Sequence, residues 1–301
     1  MLCGICEPEF RSITGGGSID GVETMEFVTA KSRDLVGLGT AVGYRSDGLT
    51  PGMHLGIPAP SVTFILSLDG PVEGAWTPED LAAGRVESGE VVLSGLHTTA
   101  SYVVQPVRQE GIQFAVDPTW SRQLFGVPAA DLTGAIADQV LGSRGQNLVC
   151  QVADSDDWPT RFATVGRHLR QHADQAPPAR ADMVEAWRWL IAGRGRGTVR
   201  DLARHVLLSE RQLRQRFGAE YGVGPKEAAR LIRFNQATWR LAASVRHGRS
   251  LDLAGVAADS GFADQAHLTR EFSGFLGVSP TRWVGEERRN LQAGGHMYHP
   301  E

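Results

Sequence analysis

Two stretches of this 301-residue chain set Arg, Gln, Thr and His at helical spacing around a short apolar stripe. In Ser209-Glu210-Arg211-Gln212-Leu213-Arg214-Gln215-Arg216-Phe217 the apolar Leu213 and Phe217 stand at i and i+4, so a helix that buries them turns Arg211, Gln212, Arg214 and Gln215 outward. In Asp264-Gln265-Ala266-His267-Leu268-Thr269-Arg270-Glu271-Phe272 the pair Leu268 and Phe272 does the same, leaving Gln265, Ala266, His267, Thr269 and Arg270 on the outer face. Such side chains hydrogen-bond base edges and phosphates, whereas a face that is only solvated usually mixes in Glu and Lys. The competing reading is an ordinary polar surface, and the position of both faces within a repeat favours the first.

The elements that must carry these faces are two copies of one unit. A shift of 55 residues pairs Ala203 with Ala258, Leu213 with Leu268, Phe217 with Phe272, Gly222 with Gly277, Val223 with Val278 and Pro225 with Pro280. Each copy reads as a short helix with an Ala, a turn, a second helix, a Gly suited to a left-handed cap, and a Pro near the next helix start, which is a helix-turn-helix unit. Thr198 is placed to cap a helix over Val199 to Val206. Ser209 opens the next, with Gln212 completing a capping box. The second copy runs from Ser250, turns at Ser260-Gly261-Phe262 and restarts with Asp264 as N-cap. Between the copies Pro225 to Ala243 reads as one long helix with Leu231, Phe234 and Leu241 buried, holding the units rigidly apart.

These residues, together with Gly261-Phe262-Ala263 and Gly277 and Pro280, resemble the DNA-binding domain of AraC/XylS-type transcriptional regulators over roughly residues 182 to 285. The resemblance implies a seven-helix domain whose two recognition helices enter successive major grooves on one face of double-stranded DNA. Its groove-facing positions fall on Arg211, Arg214 and Gln215 in the first unit and on Gln265, His267, Thr269 and Arg270 in the second; Ser209 and Gln212 complete the DNA-binding set expected here. It also implies an N-terminal sensing or dimerisation domain. The chain departs from the family where Gly218 and Ser273 stand in place of a frequent Lys, Ala266 in place of Ser, and Trp283-Val284 in place of Tyr-Arg. Fewer phosphate contacts are therefore expected, with affinity weaker or more dependent on dimerisation.

Ahead of the helical region, residues 24 to 116 show short β-rich runs separated by Gly, Pro and Asp: Met25 to Thr29, Leu38 to Tyr44, Val62 to Leu68, Glu90 to Leu93, Ser101 to Gln105 and Ile112 to Val116. After Asp117-Pro118 helices are expected around Trp120 to Phe125, within Ala129 to Leu141 and over about Asp156 to Gln171. Ala173 to Ala181, with Pro177-Pro178, reads as an exposed linker. The expected fold class is α+β in two domains. Residues 1–172 would form a β-rich sandwich or barrel-like regulatory domain ending in helices, 173–181 the linker, 182–290 the all-α DNA-binding domain, and 291–301 a flexible tail. Phe27, Phe64, Trp76, Tyr102 and Phe114 are available to the barrel interior, as a filled core ahead of an apolar ligand site.

The charge is distributed to match. The whole chain carries 30 Lys+Arg and 34 Asp+Glu, a net −4, yet residues 180–290 hold 19 basic against 12 acidic residues, a surplus of seven, and the remainder is acidic. With 42% hydrophobic and 21% charged residues, neither a disordered nor a membrane protein is expected, and the apolar run Val62 to Leu68 is far short of a bilayer span. The first residues carry neither a basic n-region nor a long apolar h-region, so the cytoplasm is expected.

The other candidate sites read as structure. Cys3-x-x-Cys6 has no second ligand pair, and with Cys150 the cysteines read as free thiols. His168 and His172 stand at i and i+4 on a helix with no carboxylate between them; a solvated face is the reading. His54 and His97 are too few for an enzymatic metal site in the β-rich region, and Trp187, Trp189 and Trp239 read as core. No cofactor, metal or catalytic residue is expected. The functional reading is a promoter-binding regulator, homodimeric, with a small-molecule effector in the N-terminal domain and contact with RNA polymerase as further partners. The alternative is an interaction protein whose helical domain binds a protein.

Overall fold

The computed structural model describes residues 11–15, 24–31, 39–132, 138–173 and 176–285. Among these described residues ten strands form two antiparallel sheets. These are β1 (Arg11–Gly15), β2 (Thr24–Lys31), β3 (Thr40–Asp47), β4 (Gly52–Gly56), β5 (Val62–Ser67), β6 (Val72–Ala75), β7 (Glu87–Gly89), β8 (Val91–Ser94), β9 (Ser101–Gln105) and β10 (Gln109–Val116). One sheet has the order β1-β2-β3-β10-β5-β8, the other β4-β9-β6-β7. The expected β-rich architecture is present, and β1, β4, β6 and β7 add to the six runs read from the sequence. Eleven α-helices among the described residues follow or interrupt the strands: α1 (Pro78–Ala82), α2 (Ser121–Phe125), α3 (Asp138–Leu141), α4 (Ser143–Ala153), α5 (Trp158–Ala173), α6 (Ala181–Ala192), α7 (Val199–His205), α8 (Glu210–Tyr221), α9 (Pro225–Arg246), α10 (Leu253–Asp259) and α11 (Gln265–Leu276).

One face of the larger sheet is sealed by helices. Val62, Phe64 and Leu66 alternate along β5 and register with Val116, Phe114 and Ile112 on β10; all six are fully buried. Phe64 stacks on Phe114 with centroids 5.6 Å apart and meets Phe125 of α2 edge-on at 5.4 Å. Phe64 and Phe114 therefore belong to a filled core beside α2, as the sequence reading had it, and period two puts them on the opposite face from half-buried Thr63 and Ile65. Gly43 registers with Ile112 on this same face, and a Cβ there would lie 2.5 Å from the Trp158 ring, which is why the middle of β3 is glycine. Arg45 and Arg161 flank that indole with their guanidinium carbons 5.6 and 4.7 Å from a ring centroid. Both donate to Glu110, at 2.7 and 2.6 Å. Burial pushes the Glu110 carboxyl up, but the two guanidinium hydrogen bonds outweigh it and hold the group below its ordinary range.

The helix expected from Pro225 to Ala243 continues to Arg246, and Gly248, at φ 60°, follows its end. Helix α4, whose Gly and polar residues conceal its period, was not expected. Among the described residues no helix is long and apolar enough to cross a membrane, and no group of three or more His, Cys, Asp and Glu could hold a metal. Cys150 is exposed. Cys3, Cys6, residues 133–137 of the expected helix at 129–141 and the tail lie outside the described residues.

Candidate nucleic-acid interface

Each unit is built from a short helix, a turn and a capped second helix. Thr198 accepts from the Asp201 N–H at 3.1 Å to start α7, and Asp252 caps α10 with 2.8 Å to the Gly255 N–H. Leu208 N–H donates to the Ala203 carbonyl and Phe262 N–H to the Ala257 carbonyl, both at 2.9 Å. The buried Ala that begins the turn is thus Ala203 in one unit and Ala257 in the other, at 3% and 0% exposure. The pairing of Ala203 with Ala258 is corrected by one residue. The reason is the turn: left-handed Leu207 (φ 56°) is followed by Leu208 and then Ser209, whereas left-handed Gly261 (φ 79°) is followed by Phe262 and Ala263 before Asp264.

The second helices then start on caps. Ser209 accepts from the Gln212 N–H at 3.3 Å while Gln212 Oε1 accepts from the Ser209 N–H at 3.1 Å, which completes the capping box. Asp264 accepts from the His267 N–H at 2.6 Å. Both helices end on left-handed glycines, Gly222 at φ 77° and Gly277 at φ 71°. Inward, α8 buries Leu213, Phe217, Glu220 and Tyr221, and α11 buries Leu268, Phe272, Phe275 and Leu276. The Tyr221 hydroxyl donates to the Met183 carbonyl at 2.8 Å; burial, then the nearby carboxylates, push its pKa up.

Outward, the nine expected residues divide by what their polar groups touch. Arg211, Gln215, Gln265 and Arg270 are exposed and make no side-chain hydrogen bond or ion pair among the described residues. Arg214 is exposed but paired with Glu210 at 2.7 Å, one turn back. Ser209 and Gln212 spend their side chains on the cap. His267 is turned back under the turn: its Nδ1 accepts from the Ala263 N–H at 3.3 Å, and its ring meets Phe262 edge-on at 5.3 Å. Thr269 donates to the Gln265 carbonyl at 2.9 Å. The face thus reduces to two free Arg–Gln pairs, one per unit.

Both recognition helices also abut the β-rich region at their C-terminal ends. Arg122 of α2 donates through Nε to both carboxylate oxygens of Glu220, at 2.8 and 3.1 Å. A Cβ on Gly222 would lie 3.2 Å from Ala130, whose turn packs on α8. Ala100 N–H donates to the Phe275 carbonyl, in the last turn of α11, at 2.8 Å. Sequence reasoning missed these contacts, and residues about 90 to 175 positions apart in a chain carry no local pattern that could have revealed them.

Residues 202–286 match the family model described as a helix-turn-helix domain. Among curated proteins none matches the chain. Among solved structures, ToxT from Vibrio cholerae is similar at 11% identity over 81% of this chain and 97% of its own, with a TM-score of 0.45. The DNA-binding domain of AdpA, a global transcriptional factor solved with a target DNA, is 23% identical over 37% of this chain and 96% of its own, with a TM-score of 0.33. CuxR, described as an AraC-like transcriptional activator, is 14% identical over 76% and 95%, with a TM-score of 0.31. Residues 202–286 therefore form a helix-turn-helix domain, in agreement with the two units built above.

Proposed function

We propose that the chain reads promoter DNA with α8 and α11 in successive major grooves, about one helical turn or 10–10.5 bp apart. The observation that carries this reading is the exposed, unpaired Arg and Gln on each of two capped recognition helices, Arg211 with Gln215 and Arg270 with Gln265. Arg suits the O6 and N7 of guanine and Gln the N6 and N7 of adenine. Arg214 joins them by giving up Glu210, while Ser209, Gln212, His267 and Thr269 contribute chiefly by holding the helix starts.

In this reading residues 182–290 form the DNA-binding domain, 173–181 a linker and 1–172 a regulatory domain that binds a small-molecule effector, a second copy of the chain, or both. The regulator acts in the cytoplasm and contacts RNA polymerase at its promoters. Selection of double-stranded fragments from random and genomic pools by the full chain, followed by footprinting, tests the proposal. Two protected elements on one DNA face support it. Capture of a protein with no enrichment of DNA would turn the reading toward a protein partner.

A further inference from the structure

The two units are tied to each other by two arginines that the recognition face does not use. Arg196 stands between α6 and α7 in the run Gly193-Arg194-Gly195-Arg196-Gly197, where Arg194, Gly195 and Gly197 take positive φ of 52°, 68° and 97°. From this loop its Nη2 donates to the carbonyls of Asp259 at 3.0 Å and Ala258 at 3.4 Å. Those carbonyls end α10. The last carbonyls of a helix lack partners within it and carry the negative end of its dipole, so a guanidinium there satisfies both. Arg233, on α9, donates to the Gly195 carbonyl and places its guanidinium carbon 5.9 Å from the centroid of the Phe262 ring.

Between them the two side chains enclose Gly261, the left-handed residue of the second turn. A Cβ there would lie 3.1 Å from Arg196 Nε and 3.1 Å from Arg233 Cδ. A loop of the first unit, the linker helix and the turn of the second unit thus converge on one point. On either side, Arg230 pairs with Glu271 at 2.9 Å and Arg240 with Asp259 at 3.0 Å, fixing α11 and α10 to the same linker helix.

We propose that Arg196 and Arg233 are positioning residues for DNA reading: they set the angle and separation of the two recognition helices, and with them the spacing of the two DNA elements that one chain accepts. This rests on the reading above, in which α8 and α11 enter successive grooves. One inserted base pair moves an element by about 3.4 Å along the duplex and turns it by about 35° around it. Without the clamp at Gly261 the units are joined through α9, with its pairs to Glu271 and Asp259, and the loop that carries Arg196 can swing to follow such a change. Units also clamped at Gly261 do not.

The test uses the full chain on a DNA selected by the wild type, with the spacer between its elements intact, shortened by one base pair or lengthened by one. The wild type is expected to lose about ten-fold in affinity for each change, comparable with a mismatched base. Arg196→Ala, at an exposed position, is expected to narrow that penalty to about three-fold or less while keeping base preference within each element. Arg196→Lys restores part of it, since one ammonium reaches the same carbonyls without the fork. An unchanged spacing penalty in Arg196→Ala overturns the inference, and so does an equal loss at every spacing, which thermal unfolding would trace to stability alone. A wild type that enriches no DNA, or only a single element, refutes the two-groove reading itself and this inference with it.

Discussion

The ion pair between Arg122 and Glu220 gives the sharpest quantitative expectation, because its two ends differ in solvent access. The Glu220 side chain is 4% exposed and the Arg122 side chain 32%. Arg122→Ala leaves a carboxylate buried against the Phe217–Tyr221 side of α8 with its guanidinium gone. Stranding one partner of a fully buried pair costs about 3–5 kcal/mol, and because water reaches the gap left by a side chain one-third open, a smaller cost, about 2–3 kcal/mol, applies here. Glu220→Gln keeps the shape and still offers an oxygen to Arg122 Nε, so it costs about 1 kcal/mol. The double variant removes the stranded charge as well, and it should be more stable than Arg122→Ala alone by about 1–2 kcal/mol. Urea denaturation of the full chain, followed by tryptophan fluorescence, measures all four corners of the cycle. Costs for the two single changes that are equal, or that add to the double within about 0.3 kcal/mol, would refute the reasoning. The same variants bear on function. The pair joins the β-rich region to the C-terminal end of one recognition helix, so Arg122→Ala should change affinity for selected DNA without changing which bases are preferred.

Arg211→Ala and Arg270→Ala should each cost about 1–3 kcal/mol on the selected site and relax preference at one base position. Binding to a set of single-base variants checks this, and a uniform loss on every sequence would assign the arginine to phosphate. Glu110 contributes stability that depends on pH. Its carboxyl is depressed in the folded chain, so the contribution is present above the unfolded value of about 4.3 and is lost as pH falls through the lower folded value. Glu110→Gln should therefore flatten the acid side of the stability profile, and an unchanged slope between the two proteins would show that Arg45 and Arg161 do not hold the charge.

What the sequence made legible follows the range of the interactions involved. Both helix-turn-helix units, their caps at Thr198, Ser209 and Asp264, and their glycine ends at Gly222 and Gly277 are set by residues within one or two turns of each other, and the structure has them all. The exposed Arg–Gln pairs were legible for the same reason. The fate of His267 and Thr269 was not, because a helical period places a side chain on a face without saying whether it bonds back to its own backbone, as both do. Strands β4, β6 and β7 escaped because three to five residues with glycine at or near their ends show too little alternation. The one-residue slip at Ala258 arose because similarity was strongest along the second helices, and the extra turn residue before Asp264 displaced everything upstream. Arg122 against Glu220 and Arg196 against α10 were unreadable for a simpler reason: only the folded chain brings them together.

The surplus of positive charge needs the same distinction between what is present and what is free. A count along the sequence suggests a strongly electrostatic DNA binder, with residues 180–290 holding 19 basic side chains. Among the described residues, nine of these are held by carboxylates or backbone carbonyls. Arg180 and Arg216 share Asp182, Arg200 and Arg214 share Glu210, Arg204 faces Asp201, Arg230 holds Glu271, Arg240 holds Asp259, and Arg196 and Arg233 grip backbone carbonyls. Among the described residues of this region, Arg188, Arg194, Arg211, Lys226, Arg249 and Arg270 form no ion pair. If Arg211 and Arg270 meet bases, four of these six described cations remain for phosphates, and counterion release through them gives a slope of log affinity against log salt of about −4 per bound chain. Titration of the full chain on its selected site at several salt concentrations measures it. A slope near −10 would require about eleven phosphates to be neutralised, and hence several of these ion pairs to open on DNA, which the short distances at Asp182 and Glu271 argue against.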